Sequence, residues 1–208
     1  MVQPLHYLKE SPSQTAGPYV HIGTNPNWVE ITGVWTADLG LVLVGPDTKG
    51  ERIVIEGRVT DGAGAPVRDA LIEIWQADAA GLHPSPEETR GAADPAFAGW
   101  GRQPVSDTDG TYRFETIRPG AVPMRDGRLQ APHITVWIVA RGINLGLHTR
   151  LYFADEAAAN ARDPLLLRIP EPERRETLIA PRHEREGRAV FTFDIRLQGE
   201  RETVFLDI

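Results

Sequence analysis

An all-β antiparallel sandwich with a few short helices is the fold class this sequence predicts. Three observations predict it: short segments in which apolar and polar residues alternate, glycine-bearing turns between them, and a scarcity of helical periods. The alternating segments run, in order, over Arg52–Thr60, Ala70–Gln76, Thr111–Ile117, His133–Ala140, His148–Phe153 and Ala189–Gln198. Between them lie Asp61-Gly62-Ala63-Gly64, Asp107-Thr108-Asp109-Gly110 and Pro119-Gly120. Glycine supplies positive φ there and aspartate can bond its own backbone, so these are tight turns. Two short surface helices are expected, an alanine-rich one over Asp155–Arg162 that stops at Pro164, and one over Pro172–Ile179 with Pro and Glu in its first turn. Residues 1–35 have no clean period, yet Tyr19, Val20, Ile22, Trp28, Ile31 and Trp35 are too apolar for a solvated tail, so an N-terminal arm that docks on a partner chain is expected, followed by one sandwich domain over 36–208.

Composition removes several function classes. With 208 residues, 41% hydrophobic and 25% charged, the chain reads as a globular domain, and its longest apolar runs, such as Ile134–Ala140, are too short to cross a bilayer. Met1–Glu10 lacks a basic start followed by an apolar stretch, so no secretory signal is expected and the cytoplasm is the expected compartment. A net charge of −7 argues against a nucleic-acid partner, which needs a basic surface to displace counterions. No cysteine is present, so disulfides, zinc ribbons and iron–sulfur clusters are excluded, and any metal has to be held by His, Tyr, Asp or Glu.

Seven blocks in a fixed order carry a resemblance. Ile55–Val67 reads Ile-Glu-Gly-Arg-Val-Thr-Asp-Gly-Ala-Gly-Ala-Pro-Val. It is followed by Leu71–Asp78, Ser106–Phe114, Thr116–Gly120, Ala131–Ile134, Arg150–Phe153 and Arg174–Pro181. Singly each is weak, because a Gly-x-Val-x-Asp turn before a tryptophan strand also occurs in small transthyretin-like modules; the ordered set resembles the intradiol catechol dioxygenases over nearly the whole chain. The resemblance implies an immunoglobulin-like or prealbumin-like sandwich, ferric iron held by two tyrosines and two histidines, and dioxygen insertion between two hydroxylated ring carbons. Hard phenolate and borderline imidazole donors suit ferric iron.

The four matching positions depart from that pattern. The first tyrosine position is His83, after the Trp-Gln-Ala block; the second, in the Pro-Gly-x-Tyr-Pro segment, is Val122; the His-x-His pair is His133 with Thr135. Val122 has no donor atom and Thr135 is a poor substitute for imidazole, so this chain is expected to bind no metal itself. Within the resemblance, such a chain corresponds to the alpha type of a two-chain enzyme whose beta-type partner carries Fe(III). It implies a higher-order alpha–beta oligomer, with 3,4-dihydroxybenzoate and O2 as substrates and 3-carboxy-cis,cis-muconate as product. It further implies that Thr15, Gly17, Pro18, Tyr19 and Arg141 wall the partner's active site, where a guanidinium can fix a ring carboxylate and Gly17-Pro18 can hold a close, rigid turn.

Read as plain residues, Arg141 is a solvated loop arginine, His133 a hydrogen-bonded structural histidine and His83 an exposed loop residue, while Tyr19 is as suited to anchoring the arm as to touching substrate. His148 and Arg150 share a strand face and stay unassigned between interface and core rim. Two alternatives accompany the leading reading: a non-catalytic transthyretin-like binding module, which the long segment beyond Ala140 opposes, and a homomeric dioxygenase with an altered metal site, which lacks any His-x-His or Glu-x-x-His element.

Overall fold

The computed structural model describes residues 15–17 and 19–207; Pro18 and the arm before Thr15, both named above, lie outside them. Helix α1 (Val20–Thr24) precedes four strands, β1 (Arg52–Thr60), β2 (Leu71–Trp75), β3 (Trp100–Pro104) and β4 (Thr111–Ile117). A two-strand hairpin, β5 (Val122–Pro123) and β6 (Leu129–Gln130), leads into β7 (His133–Val139) and β8 (Leu147–Phe153). Helices α2 (Ala157–Asn160) and α3 (Pro172–Glu176) follow, then β9 (Ile179–Ala180), β10 (Arg182–Arg185), β11 (Arg188–Thr192) and β12 (Ile195–Arg196). Among the described residues no helix is long and apolar enough to cross a membrane.

Alternation in the sequence becomes two faces in space. β1 sits between β4, antiparallel to it from Arg52↔Ile117 to Arg58↔Thr111, and the β11–β12 pair, which runs parallel to it. The second sheet is ordered β3-β2-β7-β8-β9. Ile53, Ile55, Tyr112, Phe114, Phe191 and Phe193 meet Ile72, Ile74, Ile134, Val136, Ile138, Leu151 and Phe153 in one core, with the Phe153 and Phe191 rings edge-to-face at 4.8 Å. Full burial of such a side chain contributes about 1.5–3 kcal/mol, so this interface dominates the fold's stability. Gln76 ties the sheets across their polar seam, donating to the Ile117 carbonyl at 2.9 Å and accepting from the Thr116 hydroxyl at 2.8 Å.

Two features differ from the expected antiparallel sandwich. The sheets are mixed, since β1–β11, β1–β12 and β8–β9 are parallel pairs. The expected continuous strand Ala189–Gln198 is interrupted at Phe193-Asp194, where the Asp194 carboxylate takes the Arg58 amide at 3.0 Å and the Glu56 carbonyl takes the Phe193 amide at 2.8 Å. The two expected helices shorten to a 3-10 turn plus α2 and to α3.

That interruption depends on Gly57. A Cβ there would stand 2.0 Å from the Phe193 carbonyl oxygen, which also accepts the buried Tyr112 hydroxyl. Backbone meets backbone at this point, so no side-chain motion relieves the clash. Gly57→Ala is expected to cost about 2–3 kcal/mol and lower the melting temperature by roughly 5–10 °C, read by thermal unfolding; an unchanged melt would mean that β11 and β12 do not pack on β1 as described.

Candidate functional site

Strand β7 buries Ile134, Val136 and Ile138 in the core, which turns His133, Thr135, Trp137 and Val139 to the outer face of the second sheet. The antiparallel register with β8 places Tyr152 opposite His133, Arg150 opposite Thr135 and His148 opposite Trp137. On the other side of β7, Trp75 pairs with Thr135 and stacks on the His83 ring, with centroids 5.7 Å apart. Val122 is joined to the same patch through the hairpin: it pairs with Gln130, whose side-chain oxygen accepts the Arg150 guanidinium at 2.7 Å. The four positions marked by the resemblance therefore converge, and Arg150 lies among them.

Both histidines are engaged by contacts within the chain. His83 is only partly exposed rather than the exposed loop residue expected, because the Asp78 carboxylate takes the Ala80 and Leu82 amides at 2.9 Å and folds the loop back onto Trp75. Burial holds its imidazole below the ordinary range, opposed by the neighbouring Glu88. His133 is buried, its Nδ1 lies 2.7 Å from the Ala131 carbonyl, and burial followed by the Arg150 charge holds its pKa down to about 4, so it is neutral at pH 7. Its β8 neighbour Tyr152 donates to the buried Asp163 at 3.1 Å, and the same carboxylate accepts the Ala131, Leu165 and Leu166 amides at 2.8–2.9 Å. Four donors make a carboxylate tolerable out of water.

Ferric iron does not fit these residues. Val122 contributes no donor, Thr135 only a hydroxyl, and a fixed guanidinium stands beside His133 where a cation would be gripped. Among the described residues no group of three or more His, Asp or Glu could hold a metal ion.

The second set of predicted residues gathers at the far end of β7. Thr15 accepts the Gly142 amide at 2.7 Å and donates to the Ala140 carbonyl at 3.2 Å, locking the arm to the turn that carries Arg141. Gly142 has φ +88°, which lets that turn reverse and leaves the Arg141 side chain 68% exposed with Nε 3.0 Å from the Asp69 carboxylate. His21, buried in α1, reaches the Asp69 carbonyl at 3.2 Å. Tyr19 is 79% exposed, and among the described residues nothing beyond its chain neighbours comes within 4 Å of where a Cβ on Gly17 would stand. Thr15 and Arg141 are thus brought together, with Gly17 and Tyr19 on the arm leading away from them.

Between the two ends runs a groove of about 640 Å³, walled by Trp75, Trp100 and Trp137, floored by Thr135 and overhung by Thr15 and Ala16. Glu73 at its edge binds Arg102 at 2.7 Å and the Trp100 indole at 3.2 Å. Trp75, Trp100, Trp137 and Arg102 were not expected as groove residues. Trp137 shares the alternation of His133 and Thr135, a signal that could have identified it, whereas β3 is interrupted by Gly101 and Pro104 and shows no period. Further along the chain, Trp28, Val34, Trp35, Leu39 and Val42 all present apolar surface to solvent.

Comparison with known proteins accords with this geometry. Residues 24–199 match the family model described as dioxygenase. The chain is 48% identical over 206 residues, 98% of its own length and 99% of the relative's, to the protocatechuate 3,4-dioxygenase alpha chain of Pseudomonas putida. It is 38% identical over 160 residues to the protocatechuate 3,4-dioxygenase beta chain of Burkholderia cepacia, covering 74% of this chain and 67% of that one. In fold it is similar to 3-chlorocatechol 1,2-dioxygenase from Rhodococcus opacus 1CP, with a TM-score of 0.57 at 19% identity over 94% of this chain and 69% of the other. Likeness along nearly all of its length to one chain of a two-chain enzyme, on the sandwich described above, means that this chain belongs to the intradiol ring-cleaving dioxygenases, an iron-dependent family.

Proposed function

We propose that this chain is the non-iron-binding subunit of a heteromeric protocatechuate 3,4-dioxygenase, and that it completes the active site of an iron-bearing beta-type partner. The observation that carries this reading is the intact sandwich around a metal position that holds Val122, Thr135 and a guanidinium in place of ligands. A chain that had merely lost its iron would keep the ligand set; here Val122 and Thr135 stand at two of the four positions, on an intact sandwich. The exposed apolar run from Trp28 to Val42 supports docking of the arm region on a partner, because a soluble monomer rarely leaves so many large apolar side chains in water.

In this reading Thr15, Gly17, Pro18, Tyr19 and Arg141 face the partner's pocket. The Thr15 bridge to Ala140 and Gly142 sets where the Arg141 turn stands, and the Arg141 guanidinium takes the substrate carboxylate. Its present partner is no obstacle: an exposed ion pair such as Arg141–Asp69 is worth about 0–1 kcal/mol, whereas a charge-assisted hydrogen bond in a closed site is worth about 1.5–3 kcal/mol. The complex would cleave 3,4-dihydroxybenzoate with O2 between its hydroxylated carbons to give 3-carboxy-cis,cis-muconate.

The chain purified alone is expected to contain no stoichiometric iron and no tyrosinate-to-iron colour, and to cleave no substrate; co-expressed with a beta-type chain it should yield a coloured, active complex. Metal analysis and visible absorption of both preparations decide this, and stoichiometric iron in the isolated chain overturns the assignment. Within the complex, Arg141→Ala is expected to lower kcat/KM for protocatechuate roughly tenfold or more and to leave unsubstituted catechol nearly unaffected. Equal losses on both substrates, or none on either, would show that Arg141 does not anchor the carboxylate.

A further inference from the structure

The positions that the family's ligand pattern marks hold Val122 and Thr135, and Arg150 stands directly opposite Thr135 and reaches the hairpin that carries Val122. Residues directly opposite in an antiparallel pair project from the same face, so Thr135 and Arg150 rise side by side, with His133 and Tyr152 as the next pair. A metal gripped by side chains at 133 and 135 would have to stand over that patch. The Arg150 side chain crosses it to reach the Gln130 side-chain oxygen on the β5–β6 hairpin at 2.7 Å. It is part-buried, its Nε has no hydrogen-bond partner among the described residues, and none of the ion pairs among those residues involves it. The guanidinium also hydrogen-bonds the Tyr152 hydroxyl, so its partners are neutral groups and no carboxylate offsets its charge at this spot.

We propose that Arg150 is a metal-excluding residue: its guanidinium occupies the position on which β7, β8 and the β5–β6 hairpin converge, and closes that position to any other cation. This deepens the reading of the chain as a metal-free subunit and rests on it. The ligand losses remove affinity for metal, and the fixed positive charge opposes it independently, so that restoring a ligand alone does not restore a site. In a two-chain enzyme whose subunits are homologous, such a residue keeps metal out of the subunit that has no use for it.

The smallest test uses the full chain and Co²⁺ as the probe. Thr135→His places a second imidazole two residues from His133 on the same strand face. Co²⁺ binding is measured by titration calorimetry and by the visible cobalt bands for Thr135→His alone and combined with Arg150→Gln, Arg150→Met or Arg150→Lys. Folding of each is checked by circular dichroism, and two neutral replacements are made so that either one suffices. The neutral combinations are expected to bind Co²⁺ roughly tenfold or more tightly than Thr135→His alone, because a unit charge about 5 Å from a divalent ion is strongly repulsive even at an effective dielectric of about 20. Arg150→Lys, which keeps the charge, should stay as weak as Thr135→His alone. The proposal is overturned if Thr135→His alone binds as tightly as the neutral combinations, if the neutral combinations gain nothing, or if the lysine variant behaves as they do. Iron in the unaltered chain would instead overturn the subunit assignment, so the two failures are distinguishable.

Discussion

The register between β7 and β8 is the constraint on which the rest depends. Ile134, Val136 and Ile138 on one strand and Leu151 and Phe153 on the other are fully or almost fully buried, and a slip of one residue would exchange them for His133, Thr135, Trp137, Arg150 and Tyr152. The buried set amounts to many kilocalories of apolar contact, so the register is fixed by the inner face alone. The outer face is then free to change its chemistry. Thr135 and Val122 take no part in the main core, so the sandwich does not depend on what those two positions carry, and the outer face beside them is a hydrogen-bonded patch around Arg150.

How much of this could be read from the sequence follows the same division between faces. β1 and β4 have the bounds predicted from alternation, because each has one face in the core and one in water and each ends at a turn with glycine or aspartate. β10 went unrecognised because all four residues of Arg182–Arg185 are exposed, so no apolar period marks it. β3 was hidden by Gly101, which is glycine because Leu43 lies 2.7 Å from where its Cβ would be, a contact between segments far apart in the chain. The break at Phe193-Asp194 likewise depends on Gly57 and Tyr112 from two other strands, and no local pattern announces it.

For the site, the departures from the family's ligand pattern were legible and the surroundings of those positions were not. Val122 and Thr135 identify themselves by what they lack. Arg150 acquires its meaning only from its partner across the strand, Thr135, and from Gln130 on the hairpin, relations that require the register. His83 illustrates the converse: its Gly/Pro/Glu-rich loop predicts exposure, but Asp78 and Glu88 accept backbone amides within the loop and fold the ring onto Trp75. Side-chain acceptors within a loop make it compact in a way that composition does not reveal.

The two ends of the groove have opposite energetic characters, and the difference bears on function. At the end near His133 the groups are buried or part-buried and hydrogen-bonded to one another: Asp163 with four donors, His133 with Ala131, Arg150 with Gln130. Rearranging any of them leaves a polar group unpaired out of water, at a cost of about 1–3 kcal/mol each, so this end is rigid. At the arm end, Arg141 and Tyr19 stand in solvent and the contact of Arg141 with Asp69 is a weak exposed pair. Groups that lose little on leaving their present surroundings are the ones free to take up new contacts. The chain therefore presents a hydrogen-bonded framework at one end of β7 and an adaptable charged rim at the other, held in place by Thr15 between Ala140 and Gly142.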